Sequence, residues 1–159
     1  MRWSDIGAET CSVARTLSVI GDRWTLLVLR EAFTRTRRFE DFQSHLGVAR
    51  NILADRLQKL VDHGVLERRQ YQQKPERYEY RLTQKGLDLY PVIMSLVAWG
   101  DRWMDKGEGR PIEHVHEDCG HVMRPVLTCS ECGGPVHPRK VRPRLGPALR
   151  KLQGMQNEA

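Results

Sequence analysis

The sequence lacks a long apolar run and an export signal. No window of its 159 residues offers the roughly 18 uninterrupted apolar residues that a membrane-spanning helix requires. The opening ten residues, MRWSDIGAET, contain no apolar stretch and so do not resemble a secretory signal. We therefore expect a soluble, cytoplasmic protein without a membrane partner. Its four cysteines should stay reduced unless they bind metal or sense oxidants.

The sequence also lacks the common catalytic motifs. It contains neither the H-E-x-x-H motif of metalloproteases nor a nucleophile elbow, so we expect no enzyme and assign no catalytic residue. Hydrophobic residues make up 40% of the chain, a modest share that still allows a core. The formal net charge of +6 favours an anionic partner.

The stretch from Phe39 to Gly64 predicts two helices joined by a tight turn at Gly47. In the second helix, one stripe is apolar and consists of Leu53, Leu57, Leu60 and Val61. The opposite face is polar and consists of Asn51, Asp55, Gln58 and Lys59, flanked by Arg50 and Arg56. This pattern favours a helix-turn-helix, whose second helix enters the major groove of double-stranded DNA. Taken alone, the stretch could also be an ordinary pair of amphipathic helices.

Two more helices are predicted before this stretch. The first spans residues 11–20 and ends at Gly21, with Val13, Leu17 and Ile20 along one side. Asp22 should cap the second, Arg23–Phe33. Its expected buried residues are Trp24, Leu27, Val28 and Ala32. The link to the helix-turn-helix carries Arg35, Arg37 and Arg38, which we interpret as phosphate contacts, with a solvated loop as the alternative.

After Gly64 the hydrophobic period changes from 3.6 to 2. Residues 65–71 and 77–82 alternate apolar and polar side chains, and a turn containing Pro75 joins them, which predicts a β-hairpin. Tyr78, Tyr80 and Leu82 should face one side, and Arg77, Glu79 and Arg81 the other. A hairpin directly after a recognition helix is a wing. Its basic residues are candidates to contact the DNA backbone or minor groove, and they are Arg68, Arg69, Lys74 and Arg77. The alternative is a hairpin whose charges are only solvated.

The next predicted helix begins after Thr83, its N-cap, and runs to about Met104, with a kink or a restart at Pro91. Its apolar residues cover more than one face: Val92, Ile93, Leu96, Val97, Trp99, Trp103 and Met104. Such a surface favours packing both on its own domain and on a second subunit, with residues 107–159 folding back as the alternative. A twofold dimer would place two recognition helices about 34 Å apart, one DNA turn.

The ordered segments of residues 8–106 resemble a known family. They read CSVARTLSVIGDRWTLLVLRE, FEDFQSHL, ILADRLQKLVDHGVLERRQY, RYEYRLTQKGLDLYPVI and WGDRW. They are similar to the HxlR family, bacterial winged-helix transcription regulators related to MarR proteins. The resemblance implies a mainly α (α+β) winged helix-turn-helix and a homodimer formed through terminal helices. It also implies sequence-specific binding to a pseudo-palindromic operator, as a repressor or an activator.

The resemblance also bears on the signal that controls such a regulator. It marks Cys11 as a candidate redox or electrophile sensor, although Ser12 stands where the family often has proline; a small core cysteine is the alternative. A small-molecule effector is the other expected signal. It could bind near Trp24, Trp99 or Trp103, if these are not core or interface residues.

Residues 107–140 form a Cys/His-rich extension. Cys129 and Cys132 make a C-x2-C turn followed by glycine, as in zinc knuckles, and His116 and Cys119 repeat that form. With a short strand at residues 122–128 between them, these turns predict a zinc-ribbon-like appendage. Its structural zinc would be bound by His116, Cys119, Cys129 and Cys132. Alternative ligands are His121, His114 and His137.

Other roles for the extension stay open. The cysteines could pair as disulfides or remain free, and the appendage could be a protein-interaction module. The basic residues 141–159 are expected to be a flexible tail, either an arm that follows phosphates or a solubilising segment.

Overall fold

The structure, a computed structural model, describes the backbone of residues 3–157 and the side chains of residues 5–154. The end of the expected flexible tail, residues 158–159, lies outside the described residues. The chain divides into two compact units, residues 1–100 and 101–159. Within the described residues no helix is long and apolar enough to cross a membrane.

The first unit is a winged helix-turn-helix, as the sequence predicted. A 3-10 helix at Trp3–Ala8 precedes α1 (Ser12–Ile20), α2 (Arg23–Phe33), α3 (Phe39–Leu46) and α4 (Arg50–Asp62). The wing follows as β1 (Leu66–Gln72) and β2 (Arg77–Leu82), and then come α5 (Gln84–Leu87) and α6 (Tyr90–Trp103). The helices and the wing enclose one hydrophobic core.

Helix α2 begins at the predicted cap and buries two of the four residues predicted, Val28 and Ala32. The Asp22 carboxylate accepts hydrogen bonds from the backbone N–H groups of Trp24 (2.9 Å) and Thr25 (3.2 Å). The buried apolar and hydroxyl residues are Thr25, Val28, Leu29 and Ala32, whereas Trp24 and Leu27 are only half-buried. These buried residues lie on one face of the helix, and that face is shifted by about one residue from the predicted one.

We expect Asp22→Ala to lower the free energy of unfolding by about 1 kcal/mol, the usual cost of losing an N-cap. Burial alone would raise the pKa of Asp22, but hydrogen bonds from Arg56 and the Thr25 N–H outweigh it, so the pKa lies below its usual value of 3.8. This stabilisation is therefore complete above about pH 5 and disappears as pH falls through the lower, folded-state pKa. Urea unfolding of wild type and variant across that range measures both effects.

Asp55→Ala is the matched control, because Asp55 also contacts Arg56 but caps no helix. Its cost should stay within about 0.5 kcal/mol, as for an exposed surface site. Equal losses in the two variants would show that the contact with Arg56, and not the cap, accounts for the effect.

The helix-turn-helix closes as predicted. Gly47 ends α3 with a φ of 60°, a left-handed conformation in which glycine carries no steric penalty. Leu53, Leu57 and Leu60 of α4 are each fully buried, and Val61 is half-buried. Burial of these three leucines directs the opposite face of α4 to solvent.

The wing contains one strand contact that the sequence did not predict. β1 and β2 pair antiparallel, with Leu66 opposite Leu82. The link before α3 also pairs with β2, through a bridge between Arg38 and Glu79 and a hydrogen bond from Tyr80 N–H to the Arg37 carbonyl (2.7 Å). The added strand segment partly covers β2. Residues 78–82 are therefore all half-buried, and the predicted alternation of faces is not seen in their burial.

Beyond the wing, the predicted long helix is two helices. Thr83 caps α5 by accepting a hydrogen bond from Gly86 N–H (3.2 Å), and α6 restarts with Pro91 in its first turn. α6 buries Ile93 and Met94, whereas Leu96 is 50% and Trp99 60% exposed. One apolar face of α6 is therefore exposed in the single chain.

The second unit contains little regular structure. β3 (Val115–His116) pairs antiparallel with β4 (His121–Val122), and α7 spans Pro147–Asn157. Of the predicted strand over 122–128, only Val122 in β4 and an isolated antiparallel bridge from Thr128 to Pro135 are found, and Pro125 in this stretch has no N–H to donate to a sheet. Helix α7 lies in the stretch expected to be a flexible tail, and the sequence reading missed it, although Pro147 suits a first helical turn.

Candidate nucleic-acid interface

The solvent-facing side of α4 carries the predicted polar residues. Asn51, Asp55 and Gln58 are exposed, and Lys59 is half-buried. The Gln58 amide donates to Asp62 (2.7 Å), whereas Asn51, in the first turn, makes no side-chain hydrogen bond within the described residues. The donor and acceptor of Asn51 are therefore both available to an external partner.

Arg56, also predicted to contact DNA, is half-buried and held by contacts within the protein. Its Nε lies 2.8 Å from Asp22 Oδ1, its Nη2 reaches Asp22 Oδ2, and its Nη1 donates to Asp55. Asp22 is the N-cap of α2, so this guanidinium joins α4 to the start of α2. The contacts make Arg56 a residue that orients the recognition helix.

Four of the predicted arginines meet in one cleft between the wing and the starts of α3 and α4. The cleft has a volume of about 580 Å³, and its cationic lining is Arg38, Arg50, Arg68 and Arg77. Its acidic lining consists of Glu40, Asp41 and Glu76. The cations outnumber the acids, and they come from three separate chain segments that only the fold brings together.

Three of these arginines stack on aromatic rings. The guanidinium carbon lies 5.0 Å from the ring centre of Tyr71 for Arg38, and 4.7 Å from Phe39 for Arg50. For Arg68 the distance to the Tyr78 ring centre is 3.6 Å. Stacking uses the face of the guanidinium and leaves its N–H edge free for a phosphate. These aromatic partners were not predicted. The alternation of arginine with tyrosine in the wing could have indicated them.

The starts of α3 and α4 add further donors. Their N-cap residues, Arg38 and Ala49, make no side-chain capping hydrogen bond. The first N–H groups of each helix therefore lack an intrahelical or capping partner, and such ends favour anions. At α3 the first turn already carries Glu40 and Asp41, whereas the first turn of α4 contains no acid, so α4 is the better anion site. The cleft thus combines arginine side chains with backbone donors, a chemistry suited to a phosphate backbone.

The remaining predicted cations do not line the cleft. Arg35 and Arg37 are exposed in the link, with Arg35 at a φ of 69°. Arg69 is paired with Glu67 at 2.6 Å, and Lys74 is exposed in the hairpin turn.

A polar cluster behind the interface was not predicted. Glu31 is buried, and its carboxylate contacts Arg30 (2.7 Å), His45 Nδ1 (2.8 Å) and Thr36 Oγ1 (3.3 Å). Burial alone would raise the pKa of Glu31, but the hydrogen bonds from Arg30 and His45 outweigh it and hold that pKa below its ordinary value. The cluster joins α2, the link and α3 behind the recognition helix.

The four cysteines are free thiols. Cys11 is exposed at the N-cap of α1. Backbone N–H groups of Cys132 and Glu131, with the Cys132 thiol, donate to Cys129 and hold its pKa below the ordinary value for a thiol. Among the described side chains, no group of three or more His, Cys, Asp or Glu is gathered closely enough to hold a metal ion. The zinc site stays a prediction.

Comparison with known proteins identifies the family to which this architecture corresponds. The family model described as HxlR-like helix-turn-helix matches residues 19–108. An uncharacterized HTH-type transcriptional regulator of Mycobacterium tuberculosis, Rv3095, is 45% identical over 139 residues, which are 87% of this chain and 88% of the relative. That alignment is longer than the family match, so the relative shares part of the second unit as well.

Solved structures of similar proteins are also those of transcription regulators. The crystal structure of PA1607, a proposed transcription factor, superposes with a TM-score of 0.79 at 35% identity, covering 88% of this chain and 98% of that one. The redox regulator HypR, in its reduced form, gives a TM-score of 0.56 at 29% identity over 62% of this chain and 98% of its own. These similar proteins are described as regulators and not as enzymes.

Proposed function

This chain belongs to the HxlR-like helix-turn-helix family and is a transcriptional regulator with a helix-turn-helix DNA-binding domain, and we propose that it acts as a homodimer on a pseudo-palindromic operator. The observation that carries the proposal is the arginine cleft beside the exposed face of α4. Phosphates of the DNA backbone would bind in the cleft, and α4 would lie in the major groove.

Selection from a random duplex pool, followed by footprinting, tests this proposal. A dyad with half-sites about 34 Å apart is the expected result, with an affinity that falls steeply as salt rises. Equal binding to selected and random duplexes at moderate salt would contradict sequence-specific recognition.

Asn51 is the residue we assign to base reading. Its free amide in the first turn of α4 can contact adenine N6 and N7 in a bidentate manner. Asn51→Ala should therefore relax the preference at one base pair of each half-site, at a cost of roughly 1–3 kcal/mol. Binding measured against every single-base variant of the selected site gives the readout. A uniform loss across all sites would assign Asn51 to the DNA backbone.

The exposed face of α6 supports the dimer. Leu96 and Trp99 are 50% and 60% exposed, although both are large apolar side chains on a helix whose other face is buried. A second copy covering this face would remove that apolar area from water.

Leu96→Glu should weaken self-association by about tenfold or more, because a carboxylate would be buried without a partner in the interface. Sedimentation velocity over a range of concentrations measures the change. Leu145→Glu is the matched control, since Leu145 has the same 50% exposure but lies outside α6. If Leu96→Glu stays dimeric, or if both variants dissociate alike, α6 is not the interface.

An effector site is proposed at a second cavity in the first unit. It measures about 400 Å³, its apolar lining is Val19, Ile20, Val65 and Leu89, and its cations are Arg15 and Lys85. None of the described residues that line it is acidic, so a small apolar carboxylate fits its chemistry. Hexanoate, which is negatively charged, should raise the melting temperature of the protein more than the positively charged hexylamine does. Equal shifts would show that Arg15 and Lys85 do not select an anionic ligand.

Thiol-based sensing by Cys11 is the second candidate for the signal. Its thiol is exposed and accessible to peroxide or to a second thiol. The redox regulator HypR, which has a similar structure, has been solved in oxidised and reduced forms. If peroxide treatment changes operator binding equally in wild type and Cys11→Ser, this candidate fails.

A further inference from the structure

The second unit has an unusual deficit of buried surface. From residue 101 to 154, no described side chain is buried, and Val126 and Leu127 are 81% and 72% exposed. A segment without a core needs cross-links to hold one conformation, and metal ions are one of the few available kinds.

The same turn occurs twice in this unit. At the first, Gly120 N–H donates to the His116 carbonyl (2.7 Å); at the second, Gly133 N–H donates to the Cys129 carbonyl (2.9 Å). The glycine is left-handed in both, with φ values of 70° and 68°. Each turn therefore presents two side chains, at its first and fourth positions, toward the same side of a tight loop.

The first turn already has the spacing of a ligand pair. His116 Nδ1 lies 3.4 Å from Cys119 Sγ. Two such atoms bound to one tetrahedral zinc stand about 3.6 Å apart, given bonds of about 2.1 and 2.3 Å. The other ring nitrogen of His116, Nε2, is 3.7 Å from the Asp118 carboxylate. A carboxylate on that side leaves Nδ1 as the metal-binding atom.

The second turn supplies the remaining pair. The Cys132 thiol and the backbone N–H groups of Glu131 and Cys132 form hydrogen bonds with the sulfur of Cys129, so the two cysteine side chains lie next to each other. Both turns therefore provide soft N and S donors, which favour zinc over calcium or magnesium.

We propose that the two turns close on one structural zinc ion per chain, bound by His116, Cys119, Cys129 and Cys132. Binding one Zn²⁺ replaces the protons of three thiols, which pass to solvent, and leaves a site of net charge −1. The two turns are not gathered around one point in the described structure. Zinc binding is therefore required to bring the two ligand pairs together.

Cobalt titration of the full-length, chelator-stripped protein in reductant tests the proposal. We expect one Co²⁺ per chain, with the strong visible absorption of tetrahedral cobalt thiolate, and its displacement by one Zn²⁺. Cys119→Ser and Cys129→Ser lie in different turns, yet each should weaken binding by at least a hundredfold. The shared site would be overturned if the two turns bound metal independently, if one Co²⁺ bound per two chains, or if no spectrum of tetrahedral cobalt thiolate appeared.

Two further variants complete the design. Cys11→Ser is the matched control and should leave the metal stoichiometry unchanged, since Cys11 lies in the first unit. His116→Ala should lose the metal and His121→Ala should keep it; the reverse would overturn the ligand set. Zinc should also slow proteolysis of residues 107–140. Operator binding, measured on the same samples, reports on the first unit, so failure of the metal site and failure of DNA recognition are distinguishable.

Discussion

Phe42→Ala should reduce the free energy of unfolding by about 3–5 kcal/mol, a large part of the roughly 5–15 kcal/mol that stabilises a domain. Phe42 is completely buried, and its ring packs edge-on against Tyr80 with centroids 6.5 Å apart. Truncation therefore leaves a cavity between α3 and the wing. Urea unfolding, followed by circular dichroism, measures the loss.

Phe39→Ala is the matched control on the same helix. Phe39 is half-buried and carries the Arg50 guanidinium on its face, so its loss should cost only about 1–2 kcal/mol. DNA binding should instead become weaker, because Arg50 loses its support. A comparable loss of stability in both variants would show that the core does not centre on Phe42.

The fold was largely predictable because its signals are local. Asp22 lies directly before an apolar helix, Gly47 lies between two helical patterns, and Leu53, Leu57 and Leu60 recur at helical spacing. Each of these features depends on residues within a few positions of one another. In the first unit the expected elements therefore appeared, with errors mainly in which neighbouring residue was buried, whereas in the second unit α7 was not predicted and most of the predicted strand over 122–128 is absent.

The site was less predictable because its contacts are distant in sequence. Arg38 meets Tyr71, and Glu31 meets His45, only after the chain has folded. The helical pattern predicted Arg56 as a DNA contact but could not show that Asp22 already holds it. Sequence patterns identify the available cations, whereas packing determines which of them are free.

The three stacked arginines should account for much of the affinity for DNA. In the triple variant Arg38→Ala, Arg50→Ala and Arg68→Ala, each subunit loses three proposed phosphate contacts. Each contact contributes about 0.9 to the slope of log affinity against log salt. The slope should fall by about 2.7 per subunit, and affinity should fall about a hundredfold per subunit at 0.15 M salt. Fluorescence anisotropy on the selected operator at several salt concentrations measures both.

The loss should be independent of sequence, because phosphate contacts carry no base information. Random duplex and selected operator should therefore weaken by similar factors in the triple variant, whereas Asn51→Ala should affect only the selected site. Arg15→Ala, measured in the absence of any carboxylate effector, is the single-charge control, since Arg15 is an exposed arginine of α1 that does not line the cleft. An unchanged slope in the triple variant would exclude the cleft as a phosphate site. A slope change as large in Arg15→Ala as in each single cleft variant would mean that net charge, and not the stacked geometry, determines binding.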